Sequence, residues 1–198
     1  MLIEESEILL ADLPVEAFKA HLRLGRGFSG DTVQDSVLES FLRAAIASVE
    51  GRCGKALMIR TFIWTLPFWQ DDLRQVFPIG PVQEVLELAL LDAAEQPTAV
   101  DPARFRLEKD MHFPAINGRS AGLPNPPSDG SIRVRFTAGY GATWDEVPRD
   151  LAQAVMLQGA HYYEHREATG LGEGCAPFGV ISLTERYRPM RIFTRGRV

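Results

Sequence analysis

Residues 161–165 read His-Tyr-Tyr-Glu-His, two histidines four apart with an acid beside the second. On a helix, positions i and i+4 are neighbours, so His161 and His165 could share one metal ion. The order H-x-x-E-H is that of one class of zinc peptidases. Such a site needs a third protein ligand further along, normally a carboxylate on another helix. After Glu167 the chain offers only Glu173, in a glycine-rich stretch, and Glu185, in an arginine-rich one. Neither is expected on a rigid element. The pair is therefore read as part of a helix face shared with Asp150, Ala154 and Gln158, turned to solvent or to a neighbouring subunit. A zinc-dependent hydrolase stays open only as an alternative.

Gly25, Gly27 and Gly30 spell G-R-G-F-S-G, formally a dinucleotide-binding fingerprint. That fingerprint works where a strand enters the glycine turn and a helix leaves it towards the pyrophosphate. Here a helix enters, and Glu50, the acid at the expected distance, closes a helix rather than a strand. The glycines are read as a helix cap and an inter-helix loop. Cys53 and Cys175 lack both metal-type spacing and a paired base, so buried inert thiols are expected. Ser29, Ser48 and Ser182 sit in no nucleophile-elbow context. Trp64, Trp69 and Trp144 are expected as core or interface anchors. The closing TERYRPMRIFTRGRV sets Arg186, Arg188, Arg191, Arg195 and Arg197 against one acid, Glu185. With Tyr187 and Phe193 interleaved, it could hold nucleic acid, lie in solvent, or dock on a protein. A DNA-binding accessory protein using this tail is the second alternative. No catalytic, cofactor-binding or metal residue is assigned.

Whatever these residues do, a folded scaffold must place them. The chain has 198 residues, of which 45% are hydrophobic and 24% charged, a balance that excludes wholesale disorder and suits one domain. A net charge of −5 argues against a surface built to grip phosphate throughout. No apolar run approaches the length of a membrane span. The acidic opening MLIEESEILLADLP has the wrong sign for a signal peptide. A soluble protein made in a reducing compartment is expected.

Three regions follow from periodicity. In 12–55, Asp12 is expected to cap a short helix carrying Val15, Phe18, His21 and Leu22. Ser36 and Glu39 form a capping box for a second helix. Its stripe is Leu38, Phe41, Leu42, Ala45, Ile46 and Val49, ended by Gly51 and Gly54. In 59–141 the period changes to two. Phe62, Trp64 and Leu66 predict a strand, as do Leu86, Leu88 and Leu90, the run 104–108, and Ile132, Val134 and Phe136. FPAINGRSAGLPNPPSDG is read as a long irregular loop. Val147 and Pro148 open a helix over 147–168. Residues 171–198 are read as an extended tail. The fold class is thus α+β: an antiparallel helical core of two N-terminal helices and one long C-terminal helix, with a small, mostly antiparallel β-sheet inserted, forming a single domain over 1–198.

The order of several runs carries a resemblance. VEAFKAHLRL, an inter-helix loop with Asp31 and Asp35, LESFLRAAIASVEGRCGKAL, TFIWTLP and P-I-G-P-V come first. VRFTAGYG, the helix-opening VP, HYYEHRE and RYRPMR follow. From about Val15 to Arg191 the chain resembles the head–tail connector (adaptor) proteins of long-tailed bacteriophages and of phage-derived gene transfer agents. GRGFSGD departs from the more acidic loop of that family, and no function is drawn from it.

The resemblance implies a structural protein without catalysis or cofactor. It would form a homo-oligomeric ring, a dodecamer, below the portal protein, in the neck of a virion assembled in the bacterial cytoplasm. It would join capsid to stopper and tail components and extend the channel through which DNA passes without specific binding. No membrane and no small-molecule substrate are implied. By resemblance, Tyr187, Arg188, Arg191, Ile192 and Phe193 would lie at the portal. A ring needs two different patches per subunit. The acidic stretch Glu4, Glu5, Glu7, Asp12 and Glu16 and the arginine tail are candidates by their opposite signs. The negative net charge also suits a DNA channel, because a basic lining would trap phosphates.

Overall fold

The computed structural model describes residues 1–24, 32–119, 122–165 and 177–189. Four helices build the core: α1 (Val15–His21), α2 (Thr32–Cys53), α3 (Arg149–Glu164) and α4 (Phe178–Thr184). The stripe read on α2 is the buried one. Leu38, Leu42, Ala45, Ile46 and Val49 pack with Leu151, Ala154 and Val155 of α3, and Phe41 lies against the same cluster. Gly54, at φ +62°, ends α2 in the left-handed conformation that suits glycine. Gly51 is still helical.

Phe18 is the buried anchor of α1. A Cβ on Gly159 of α3 would come within 2.9 Å of the Phe18 ring, so only a bare backbone admits α1 this close. Lys19 ties α1 to α2 through Asp35 at 2.7 Å.

Two helix starts differ from expectation. Pro14, not Asp12, stands at the N-cap of α1, and Asp12 closes a one-turn 3-10 helix, Leu10–Asp12. Ser36 lies inside α2, which begins at Thr32, and Glu39 pairs with Arg43 one turn on at 2.8 Å. A T-x-x-E capping box does occur, at Thr143 and Glu146 just before α3.

The β region makes two antiparallel sheets rather than one. The larger has the order β1-β2-β8-β4-β5, from Leu2–Glu4, Arg60–Leu66, Ser131–Ala138, Val82–Leu91 and Pro97–Ala99. The smaller has the order β3-β7-β6, from Arg74–Val76, Ala115–Gly118 and Phe105–Glu108. Strand β8 is central. Ile132, Val134 and Phe136 are fully buried, and its arginines face outward. Phe77 packs on Phe136 and Trp64, and Phe62 stacks on Phe136, giving an aromatic centre to a second apolar cluster.

Strand β7 lies inside the stretch read as irregular loop. In β4 the expected common face of Leu86, Leu88 and Leu90 is broken. Register shifts at Val82/Glu84 and Val85/Glu87 interrupt the alternation, and Leu86 is exposed while Leu88 is buried.

The α+β class is as read. One part differs: 178–187 is not an extended tail but α4 followed by a 3-10 turn, Glu185–Tyr187. Residues 190–198, the rest of that tail, lie outside the described residues.

Candidate interaction surface

The C-terminal segment attaches through one face. Val180, Thr184 and Tyr187 recur at i, i+4 and i+7 and are buried against the helical cluster. Thr184 Oγ1 accepts from Arg52 Nε of α2 at 3.0 Å and donates to the Val180 carbonyl at 2.7 Å. Tyr187 is 2% exposed. Its hydroxyl donates to Asp150 Oδ1 at 2.7 Å, and the Tyr140 ring meets it edge-on. The Arg186 guanidinium lies 4.7 Å over the Tyr187 ring and pairs with Asp150 Oδ2 at 2.7 Å. Burial raises the Tyr187 and Tyr140 phenols above their ordinary range, so both stay neutral, and Tyr187 keeps the proton it donates.

The opposite face of α4 carries Phe178 and Ser182, and Glu185 of the following turn continues it, all exposed. Phe178 is 83% exposed. One turn on from Phe178, at Ser182, opens a groove of about 850 Å³ lined also by His112, Phe113, Glu185, Arg186, Arg188 and Pro189. His112 and Phe113 come from the sheet region, so the groove lies where the two regions meet. Asp110 shapes that loop: its carboxylate accepts from the main-chain N–H groups of His112 and Phe113. Those bonds hold the Asp110 carboxyl below its usual range.

The N-terminal arm occupies another flank. β1 adds to the edge of β2, with Ile3 opposite Ile63. Arg60, nearly buried, binds Glu4 at 2.9 Å and also Glu50 of α2. Glu50 accepts from the Leu57 N–H at 2.7 Å as well. Burial holds its carboxyl above the ordinary range, against the opposing pull of Arg60. Glu5 pairs with Arg135 at 2.7 Å, and Glu16 with Lys19 at 2.8 Å. The acidic stretch is therefore largely neutralised within its own chain, as is Arg186 by Asp150. Only Glu7 and Asp12 of that stretch have no ion pair among the described residues.

Of the five residues placed at the portal by resemblance, Tyr187 spends its ring inside its own chain. Arg188 is exposed, with a single pairing to Glu185 at 3.4 Å. Arg191, Ile192 and Phe193 lie outside the described residues, as do the G-R-G-F-S-G loop and Cys175.

His161 and His165 are adjacent, ring centroids 4.4 Å apart, but His165 Nδ1 lies 3.0 Å from the His161 carbonyl. Among the described residues no group of three His, Cys, Asp or Glu is placed to hold a metal. The helix face they share was expected to turn to solvent or to a neighbouring subunit; Ala154 and Gln158 on it are buried within the chain itself. Cys53 is buried, and desolvation pushes its thiol up to about 11, an unreactive value at neutral pH. Trp64 and Trp69 are core residues, and Trp144 packs on the helical cluster. No helix among the described residues is long and apolar enough to cross a membrane.

Sequence reasoning missed Phe178, and it did not foresee that Glu4 and Glu50 are both bound by Arg60. Only the Pro177 that precedes α4 hints at a helix start.

No protein-family model and no curated protein matches the chain. Solved structures do. A chain in the neck of an empty gene transfer agent particle, computed with C6 symmetry, is 45% identical over 100% of both chains, with a TM-score of 0.90. One in the virion of a native gene transfer agent particle is 44% identical over 98% of both, TM-score 0.87. A third, in the neck of a native particle computed with C12 symmetry, is 42% identical over 100% of both, TM-score 0.84. The chain belongs to the head–tail connector family. The connector is thus a structural protein of the particle neck.

Proposed function

We propose that the connector closes into a ring of twelve copies in the neck of a phage-like particle, below the portal. There it extends the DNA channel and offers a seat to stopper and tail components, without turnover of any substrate. The observation that carries this is the end-to-end similarity, at 42–45% identity, to chains in necks computed with C12 and C6 symmetry. Six divides twelve, so twelve copies satisfy both symmetries. A net charge of −5 supports passage of DNA rather than its capture.

Of the residues placed at the portal by resemblance, Arg191, Ile192 and Phe193 are the part we assign to it, while Arg188, where the segment leaves the core, is kept for the contact between copies. Tyr187, locked on Asp150, sets where that segment departs from the core. Imaging of purified particles tests the reading. A twelvefold ring of this chain between portal and tail is expected, and a complete neck that lacks the polypeptide overturns it.

A further inference from the structure

A closed ring of identical chains needs two unlike patches on opposed sides of each subunit, and α2 separates two such sides. Arg43 Nη1 donates to the Ile8 carbonyl of the N-terminal arm at 3.0 Å, and Arg52 Nε reaches Thr184 of the C-terminal segment at 3.0 Å. Nine residues at about 100° each put these two side chains roughly 180° apart around the helix. The arm and the C-terminal segment therefore clasp opposite flanks of one helix.

Each flank carries an exposed apolar projection. On the arm, Ile8 and Leu13 are buried anchors, and between them Leu9 and Leu10 stand out, 67% and 56% exposed. Asp12, beside them, has no ion pair among the described residues. On the other flank stand Phe178 and the groove edged by Arg186 and Arg188. Exposed leucines beside an acid on one side face an exposed aromatic beside arginines on the other. An apolar centre with a charged rim is the pattern of a protein interface.

We propose that the joint between neighbouring copies is made here. The Leu9–Leu10 projection of one subunit packs on Phe178 and the adjoining groove of the next, with Asp12 facing Arg188. The inference rests on the ring reading above and names its contact. It replaces a general attraction between acidic and basic ends, since most of those charges are already paired within the chain.

The test is cross-linking inside assembled particles. Leu10→Cys and Phe178→Cys are combined in one chain, which is treated with a short bismaleimide. The expected result is a ladder of covalent oligomers, absent from either single variant and from the unsubstituted chain with its own Cys53 and Cys175. Necks that contain the doubly substituted chain and give no ladder overturn the joint and leave the ring intact. Necks without the chain overturn both. Independently, Arg188→Glu should lower incorporation into particles roughly tenfold, as for a residue central to an interface. Adding Asp12→Arg should restore it, and a failure of that restoration also counts against the pairing.

Discussion

The two ends of the described chain reach the same helix by different physics. The first five residues of the N-terminal arm are held by main-chain pairing to β2 and by carboxylates on Arg60 and Arg135, with every residue of β1 exposed. The buried anchors Ile8 and Leu13 come only further on. The C-terminal segment is held by buried side chains, Val180, Thr184 and Tyr187, with short bonds to Asp150 and Arg52. Of the arm's charge pairs, Glu5–Arg135 lies at the surface, where such a pair contributes little and is screened by salt. Buried aromatic area contributes several times more and is not screened. The comparison makes the C-terminal segment a fixed mount and the arm an adjustable strap.

Substitutions can break this contrast, and the largest effect is expected at Tyr187. Tyr187→Ala removes a buried ring and should cost about 4 kcal/mol locally. The global loss is capped by the free energy of undocking α4, so amide exchange in α4 is the measurement of choice. Next comes Arg60→Ala, which leaves Glu50 buried without its cation and should cost about 3 kcal/mol at neutral pH by denaturant titration. The sign of its pH dependence follows from Glu50. Its folded pKa is already raised, and loss of Arg60 raises it further, so the carboxyl takes up a proton more readily in the variant. The penalty should therefore shrink as pH falls towards the ordinary carboxylate range.

Tyr187→Phe, which deletes the hydroxyl's bond to Asp150 and the one it accepts from Arg186, should cost about 1 kcal/mol. Glu5→Ala breaks a pair more than a third exposed and should stay within about 0.5 kcal/mol, vanishing in high salt. If Glu5→Ala costs as much as Tyr187→Phe, the contrast between strap and mount fails.

A pH scan sharpens the same comparison at the groove. The Asp110 carboxyl is held low by two main-chain N–H groups, so its contribution is present above the ordinary value of 3.8 and is lost as pH falls through the lowered one. The fluorescence of a probe on His112→Cys should report loosening of that loop only in this acid window.

What could be read directly from the residues was whatever repeats over several turns or pleats. The stripe of α2 and the alternation of β8 span enough positions to show their period, and both bury the faces expected. α4 does not: seven residues, FGVISLT, carry β-branched side chains and too few turns to display a helical period. It is helical because α2 and α3 offer a place to bury Val180 and Thr184. β7 is hidden in a run of proline and glycine, and β4 changes face at its two register shifts. At the surface, the opposite signs of the two ends were legible. Which charges were already spent within the chain was not, because Glu4 meets Arg60 and Arg186 meets Asp150 only once the fold brings them together.

Gly159 has a reach beyond its own helix. A single methyl there would press on Phe18 and lift α1 away from α3. Leu13, just ahead of α1, would be pulled along, and with it the pair of leucines that stands outside. A bare hydrogen in the middle of the bundle thus governs the posture of the molecule's outer edge.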